Sequence, residues 1–150
     1  MKQFLILLAV LAFSFPASAQ NKNEEAVKAA LKAYQDKLEK LDTSGVAALF
    51  TPGAHVYEGG KDEGGIEGYL GHHLGPELKS FKSFAFSDYK VNVKMITADY
   101  AYATETYLYT ITMAKDNSQV KSQGVATSVL RKTQNGWKIE MTHGSYRRAK

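Results

Sequence analysis

The chain has 150 residues and contains no cysteine, which excludes disulfides, thiolate catalysis and cysteine-ligated zinc sites. It carries 19 Lys and Arg against 15 Asp and Glu, a formal net charge of +4, and the basic residues are interspersed with acids over most of the sequence. The one basic cluster is Arg147-Arg148-Ala149-Lys150, which we expect to be a solvated end of the chain, so no nucleic-acid partner is predicted.

The first 19 residues have the pattern of a secretory signal peptide. Lys2 gives a charged start, residues 4–15 are mostly apolar, and Ala17-Ser18-Ala19 is a small-residue cleavage site before Gln20. The apolar run is shorter than the roughly 20 residues that span a bilayer. We therefore predict a signal peptide over residues 1–19, one domain over residues 20–150, and a periplasmic or secreted product with no membrane anchor after cleavage.

The segment after the predicted cleavage site has the pattern of a long amphipathic helix. Asn23 is the expected N-cap, followed by two glutamates that suit the positive end of the helix dipole. Apolar residues then recur at helical spacing: Ala26, Val27, Ala30, Leu31, Tyr34, Leu38 and Leu41. A short second helix is predicted over residues 46–50, and Thr51-Pro52-Gly53 is expected to end it.

A short strand and a third helix are predicted on either side of a glycine-rich segment. The strand covers residues 54–58, and residues 59–65 are predicted to form a loop, because glycine keeps much backbone freedom. Ile66, Leu70, His73 and Leu74 then follow at helical spacing. This third helix is expected to be interrupted at Gly75-Pro76.

Four long strands rich in Val, Tyr and Thr are predicted in the second half of the chain. They cover residues 84–95, 100–113, 119–132 and 137–146. Asp116-Asn117 and Asn135-Gly136 are the expected turns. Between Phe86 and Tyr89 the apolar phase shifts by one residue, which predicts a β-bulge that coils the sheet. Helices followed by this meander predict an α+β fold, a cone of N-terminal helices packed in a highly curved antiparallel sheet.

Three segments carry a resemblance to a known superfamily. They are Ala48-Leu49-Phe50-Thr51-Pro52, Val129-Leu130-Arg131-Lys132 and Gly136-Trp137-Lys138-Ile139. Together with the order of elements, they resemble the nuclear transport factor 2-like superfamily, and most closely its SnoaL-like and ketosteroid-isomerase-like branch, which has many small exported members. The resemblance implies the cone-shaped fold and pairing through the outer face of the sheet, and so a homodimer. Isomerases, cyclases, dehydratases and protein-binding modules all share this fold.

A subset of that superfamily is similar in three further places. The first is an acid at the end of the first strand, in Val56-Tyr57-Glu58-Gly59. The second is His73-Leu74, which precedes Pro76-Glu77-Leu78 on the following helix. The third is His143-Gly144-Ser145, near the end of the last predicted strand. Gly144 stands where that subset usually has tryptophan. The resemblance therefore implies a cavity whose mouth lacks one aromatic ring.

The periods of strand and helix point to the same three residues. His143 is expected to face inward with Trp137, Ile139, Met141 and Ser145, while Lys138, Glu140 and Thr142 face water. His73 lies on the apolar stripe of its helix, and Glu58 shares a strand face with Ala54 and Val56. His55 lies on the strand face opposite to that of Glu58, and His72 lies one residue off the apolar stripe of the helix. Both are therefore expected at the surface.

Two histidines and one carboxylate admit several roles. If Glu58, His73 and His143 converge, they have the composition of a facial site for a divalent metal, and equally that of a histidine oriented for acid–base catalysis by a carboxylate. Each histidine is also compatible with a plain buried imidazole that is hydrogen-bonded and has no chemistry.

A second group of side chains is predicted to hold the ligand. Glu105 shares a strand face with Tyr107 and Tyr109, where burial would favour its protonated form, unless strand twist carries it to a solvated rim. The remaining predicted ligand-binding residues are Tyr57, Trp137 and Ser145.

Three functions follow from these observations. The first is an exported protein that binds a small molecule in an apolar pocket with polar anchors. The second is an isomerase, cyclase or lyase that uses the pocket glutamate and histidines as acid–base groups or metal ligands. The third is a dimeric interaction module without catalysis, whose pocket would be filled by side chains.

Overall fold

The computed structural model of the chain describes residues 15–149, with side chains from Gln20 onward. Helix α1 spans Phe15–Glu39, so Asn23 lies within the helix and is not its N-cap. Most of the predicted signal peptide lies outside the described residues. The predicted apolar stripe is confirmed at Val27 and Leu31, which are 0% and 2% exposed, but Ala26 is exposed and Leu41 follows the end of the helix. No helix in the described part of the chain is long and apolar enough to cross a membrane.

The six strands form one curved sheet. They are β1 Phe50–Glu58, β2 Lys61–Gly65, β3 Phe81–Met95, β4 Tyr100–Met113, β5 Gln119–Thr133 and β6 Gly136–Arg148, in the order β2-β1-β6-β5-β4-β3. The predicted meander of four strands is confirmed, and β1 joins it by pairing parallel to β6. The α+β cone, with helices packed in a curved sheet, is therefore the observed fold.

The glycine-rich segment, residues 59–65, was predicted to be a loop. It instead forms a tight turn followed by strand β2. Gly59 and Gly60 have φ values of 59° and 84°, a left-handed backbone that glycine adopts freely. This tight turn lets β2 pair antiparallel with β1. Strand β1 also begins earlier than predicted, at Phe50 after the short helical turn Ala47–Leu49. Ladder hydrogen bonds to a neighbour outweigh the low strand propensity of glycine and Pro52 here.

The third predicted helix is not interrupted at Gly75-Pro76. It runs as α2 Ile66–Tyr69, a π-helical turn Leu70–Leu74, and α3 Gly75–Ser80. The backbone N–H of Gly75 bonds to the carbonyl of Leu70, five residues earlier, and Pro76 sits in the first turn of α3, where its missing N–H costs little. A Cβ on Gly75 would lie 2.6 Å from the Leu70 oxygen, so this turn requires glycine.

Two bulges set which side chains face the cone. The predicted bulge in β3 is confirmed by a register shift between Ser87 and Lys90, with Asp88 at a φ of 51°. A second bulge was not predicted: Val129 pairs with Met141 and Leu130 with Ile139, which leaves Glu140 as an extra residue in β6. The extra residue reverses the inward and outward phase for the rest of β6.

The bulge at Glu140 makes part of the predicted β6 face wrong. Trp137 and Ile139, before the bulge, are buried at 8% and 1% exposure, as predicted. Beyond it, Thr142 and Gly144 line the interior of the cone, and His143 is exposed. His143 therefore lies on the outer face of the sheet, opposite to its predicted direction.

Candidate functional site

A cavity of about 260 Å³ lies between the helices and the concave face of the sheet. Its wall is largely aromatic: Tyr34, Tyr69, Phe81, Phe84, Phe86, Tyr107, Tyr109 and Tyr146. Its polar lining residues include Gln35, Glu58, Glu77, Glu105, Ser122, Ser128, Thr142 and Ser145. The cavity is thus an apolar space with a few polar groups, the usual composition of a small-molecule site.

Glu58 faces the cavity from the end of β1, as the strand period predicts. The hydroxyl of Tyr69 donates a hydrogen bond to its Oε2 over 2.6 Å. Burial, reinforced by Tyr34 and Glu58, keeps the pKa of Tyr69 far above its usual value. Tyr69 therefore stays a neutral donor to Glu58.

His73 lies behind this pair and contacts three carboxylates. Its ring stacks on that of Tyr69, with centroids 5.2 Å apart. Nε2 is 3.6 Å from Glu58 Oε2 and 3.5 Å from Glu77 Oε1, while Nδ1 is 3.3 Å from Glu63 Oε1. Glu58 and His73 thus come together as predicted. His73 reaches the cavity through Glu58, because the imidazole itself is not part of the lining.

Glu63 is a central member of this cluster that the sequence reasoning missed. Its side chain is only 1% exposed. Its Oε2 lies 2.9 Å from His72 Nε2, and its Oε1 lies 3.0 Å from Lys61 Nζ. The hydrogen bond from His72, followed by that from Lys61, lowers the pKa of Glu63 against the opposing effect of burial. Strand β2 contains no apolar side chain, so no alternating pattern in the sequence marks it as a strand or Glu63 as its inward residue.

Glu105 is the second carboxyl group in the cavity wall. It is 6% exposed, and the hydroxyl of Tyr89 donates to its Oε2 over 2.8 Å. Burial raises the pKa of Glu105, and the hydrogen bond from Tyr89 only partly opposes this effect. The interpretation of a solvated rim position is wrong, because the bulge at Asp88 curves the sheet around the cavity and brings Tyr89 over Glu105.

Tyr107 and Tyr109 line the cavity as predicted. Phe86 meets Tyr107 edge to face at 5.1 Å, and Phe84 stacks on Tyr109 at 5.4 Å. The ring of Tyr107 covers Gly124 of β5, where an added Cβ would lie 2.2 Å from a ring carbon. Gly124 therefore makes room for the ring that forms this wall.

The remaining predicted site residues have other positions. His143 contacts Tyr57 on the outer face, with ring centroids 6.2 Å apart, so Tyr57 extends from the cavity edge toward that face. Trp137 packs in the hydrophobic core and not along the cavity, because it precedes the bulge and points toward the deep end of the cone. Ser145 lies at the exposed edge of the cavity.

The predicted metal set of Glu58, His73 and His143 is not assembled, because His143 is on the other face of the sheet. No group of three or more His, Asp or Glu side chains with metal-binding geometry occurs among residues 15–149. His55 and His72 are exposed or half-buried, as expected, and His55 Nε2 pairs with Asp62 at 2.6 Å. The arrangement instead offers three carboxyl groups to one largely apolar space: Glu58 and Glu105 from the sheet, and Glu77 from α3.

Comparisons with known proteins agree with this architecture. The chain matches the family model of the SnoaL-like domain over residues 27–148. Among curated proteins, none has a sequence that matches this chain significantly.

Several solved structures are similar in fold. A candidate scytalone dehydratase from Novosphingobium aromaticivorans has 15% identity, 89% of each chain covered and a TM-score of 0.78. A candidate dehydratase of the nuclear transport factor 2-like family from Streptomyces avermitilis has 21% identity, with 86% of this chain and 99% of that chain covered, and a TM-score of 0.73. The hexachlorocyclohexane dehydrochlorinase LinA-type3 from Novosphingobium barchaimii has 16% identity, with 87% and 91% covered, and a TM-score of 0.64.

These identities are too low to transfer an activity, and they establish the fold alone. The family match, in contrast, covers most of the sequence. This protein therefore belongs to the SnoaL-like domain family.

Proposed function

We propose that this protein binds a small, partly apolar molecule in the cavity, with Glu58 and Glu105 as polar anchors. The observation that carries the proposal is the space itself, about 260 Å³ that the surrounding aromatic side chains leave unfilled. Protein interiors normally close to the density of organic crystals, so an aromatic wall that keeps a space of this size open, with a few polar groups in it, has the usual composition of a small-molecule site. The third predicted function, an interaction module, would have this space filled by side chains.

A specific observation favours a second candidate, an isomerase or lyase. Two carboxyl groups enter one cavity from different strands, and they have different surroundings. Glu105 is buried with a raised pKa, so it is suited to donate a proton, while Glu58 has Tyr69 and His73 around it and is suited to accept one. Similarity in fold to candidate dehydratases and a dehydrochlorinase is compatible with elimination chemistry.

Export and dimerisation complete the proposal. Among the residues whose side chains the structure describes, Gln20 to Ala26 are not buried and the first core residue is Val27, so a mature chain that begins at Gln20 would keep every described core residue. The outer face of the sheet exposes Tyr57 and Tyr102, each 37% accessible, and Val125, 45% accessible. Apolar and aromatic groups of this kind on one face support pairing with a second copy.

The binding proposal is tested with 2-naphthol, a small neutral aromatic probe, and a matched pair of variants. Gly144 lines the cavity and has nothing within 4 Å of a built Cβ, so Gly144→Trp fills the cavity mouth. His143→Trp adds the same ring on the outer face, one residue away.

We expect 2-naphthol to raise the unfolding temperature of the native chain and of H143W by about 4 °C near saturation, and to leave G144W unchanged. Equal stabilisation of both variants, or none of the native chain, would contradict binding in the cavity.

A further inference from the structure

The charges around the cavity indicate what kind of ligand it selects. Three acids line it, Glu58, Glu77 and Glu105, whereas the lining residues that the structure describes include no Lys, Arg or His. His73 contacts Glu58 and Glu77 from outside the lining. Lys61 and His72 contact Glu63 instead. Three acidic side chains therefore line the cavity, and no basic side chain of the described residues enters it to compete with a cationic ligand.

Several hydrogen-bonding groups of the wall are acceptors. The hydroxyl proton of Tyr69 is donated to Glu58, so this tyrosine presents only oxygen lone pairs to a ligand. Ser128 and Thr142 bond to each other over 3.0 Å. A ligand that brings its own N–H or O–H donors would complete this set.

The aromatic wall favours the same kind of ligand. Each ring presents a negative face, and a cation within about 6 Å of a ring centroid is attracted to it, most strongly where water is excluded. Phe84 and Tyr109 stack, and Tyr146 meets Tyr109 edge to face at 6.2 Å, so rings surround the space from several directions. Rings and carboxylates together form an aromatic cage with counter-ions.

We propose that the cavity selects an organic cation, a small apolar or aromatic body that carries an ammonium group. This inference rests on the proposed binding function and specifies its ligand class. The ammonium group would donate to Glu58 or Glu105, which are buried or half-buried and gain more from a nearby positive charge than exposed acids do. The apolar body would pack against the aromatic rings.

The mouth of the cavity is also suited to a cation. Glu77 lines the cavity with a half-exposed side chain, so it can attract a positive ligand from solution. The chain as a whole has a formal charge of +4, which opposes the approach of a cation. That effect is weakened beyond about 8 Å at physiological ionic strength, so the local acids dominate at the site.

The test uses three probes of nearly equal size: phenethylammonium, 2-phenylethanol and phenylacetate, which are positive, neutral and negative at pH 7.5. Affinities are measured by calorimetry on the full folded chain. We expect phenethylammonium to bind about tenfold more tightly than 2-phenylethanol, and phenylacetate to bind more weakly than either. Tightest binding by the alcohol or by phenylacetate, or no binding by any of the three, overturns the inference.

Charge-neutral variants locate the effect. Glu58→Gln and Glu105→Gln should each weaken the binding of phenethylammonium far more than the binding of 2-phenylethanol, so that most of the cation's roughly tenfold advantage is lost. Glu67→Gln, which removes the same charge from an exposed position on α2, should leave all three affinities unchanged.

An unchanged preference for the cation in both cavity variants overturns the assignment of Glu58 and Glu105. Binding of 2-naphthol separates the two proposals: if it binds and the cation shows no preference, the ligand class is wrong and the binding function stands; if neither binds, both fall.

Discussion

At the scale of single residues, the two best buried acids of the site respond to their surroundings in opposite directions. Glu63 is nearly inaccessible, yet His72 and Lys61 stabilise its charged form. Glu105 is equally buried, but its only hydrogen bond comes from a neutral tyrosine, so its protonated form is favoured. The partner, and not the burial, decides the sign.

The first prediction concerns Glu105. Because its pKa is higher in the folded than in the unfolded chain, the folded state binds more protons above the unfolded pKa, and stability falls as pH rises toward the folded value. Glu105→Gln keeps the acceptor for Tyr89 and removes this loss. We expect E105Q to increase the free energy of unfolding by about 1 kcal/mol at pH 7 and by little at pH 4, measured by urea denaturation. If E105Q is instead less stable than the native chain at pH 7, the raised pKa of Glu105 is contradicted.

The second prediction has the opposite sign and concerns Glu63. Its pKa is lowered by folding, so its contribution is present above the unfolded pKa and disappears as pH falls through the folded pKa. Glu63→Gln should therefore destabilise the chain at pH 7 and have a much smaller effect at pH 3. The exposed variant Glu67→Gln is the control, and an E63Q that unfolds like it at both pH values refutes the cluster.

At the scale of secondary-structure elements, bulges decide which residues meet. The bulge in β3 was predicted from the phase shift between Phe86 and Tyr89, because apolar residues occur on both sides of it. The bulge at Glu140 leaves no such trace, since Met141 is apolar and His143 is compatible with either face. Alternation alone therefore placed Trp137 correctly and His143 wrongly.

The same reasoning explains what else the sequence could supply. The strands β4 and β5, which have repeated apolar positions, were predicted closely, whereas α1 begins at Phe15, well before the predicted N-cap at Asn23. The inward direction of Glu58 and its approach to His73 were also predicted. Strand β2 was missed because its pairing with β1 is a long-range contact that glycine-rich composition conceals. Glu63 was missed with it. Of the carboxylates around His73, the predicted site therefore contained Glu58 but not Glu63 or Glu77.

The third prediction tests the phase of β6 directly. The chain has no cysteine, so single cysteines can be introduced and labelled without background. We expect His143→Cys to react with a maleimide about tenfold or more faster than Thr142→Cys, because Thr142 faces the cavity and bonds to Ser128. Faster labelling at position 142 would mean that Thr142 faces outward and His143 inward, as uninterrupted alternation predicts, and would contradict the bulge.

At the scale of the whole molecule, the proposals concern processing and assembly. The fourth prediction is that intact mass spectrometry of the protein from its native cell finds a mature chain that begins at Gln20. This follows from the Ala17-Ser18-Ala19 site, and from Val27 being the first buried residue in the part of the chain whose side chains are described. A chain that retains residues 1–19 in a cytoplasmic fraction would refute export.

The fifth prediction is a homodimer formed through the outer face of the sheet. Light scattering after size exclusion should give twice the mass of one chain. Tyr102→Lys and Val125→Lys, which place charges on that face, should shift the population to monomers without lowering the affinity for 2-naphthol. A monomeric native chain, or a dimer unaffected by both variants, contradicts this interface.

The central claim is that the aromatic cavity containing Glu58 and Glu105 is the ligand site of this molecule, and methyl NMR tests it most directly. Val56 and Ile111 line the cavity, whereas Val125 and Val129 lie on the outer face of β5. In a titration of the methyl-labelled chain with 2-naphthol, the account predicts saturable shifts for Val56 and Ile111 and none for Val125 and Val129. Shifts confined to the outer-face valines, or no saturable shift at Val56 and Ile111, would contradict it.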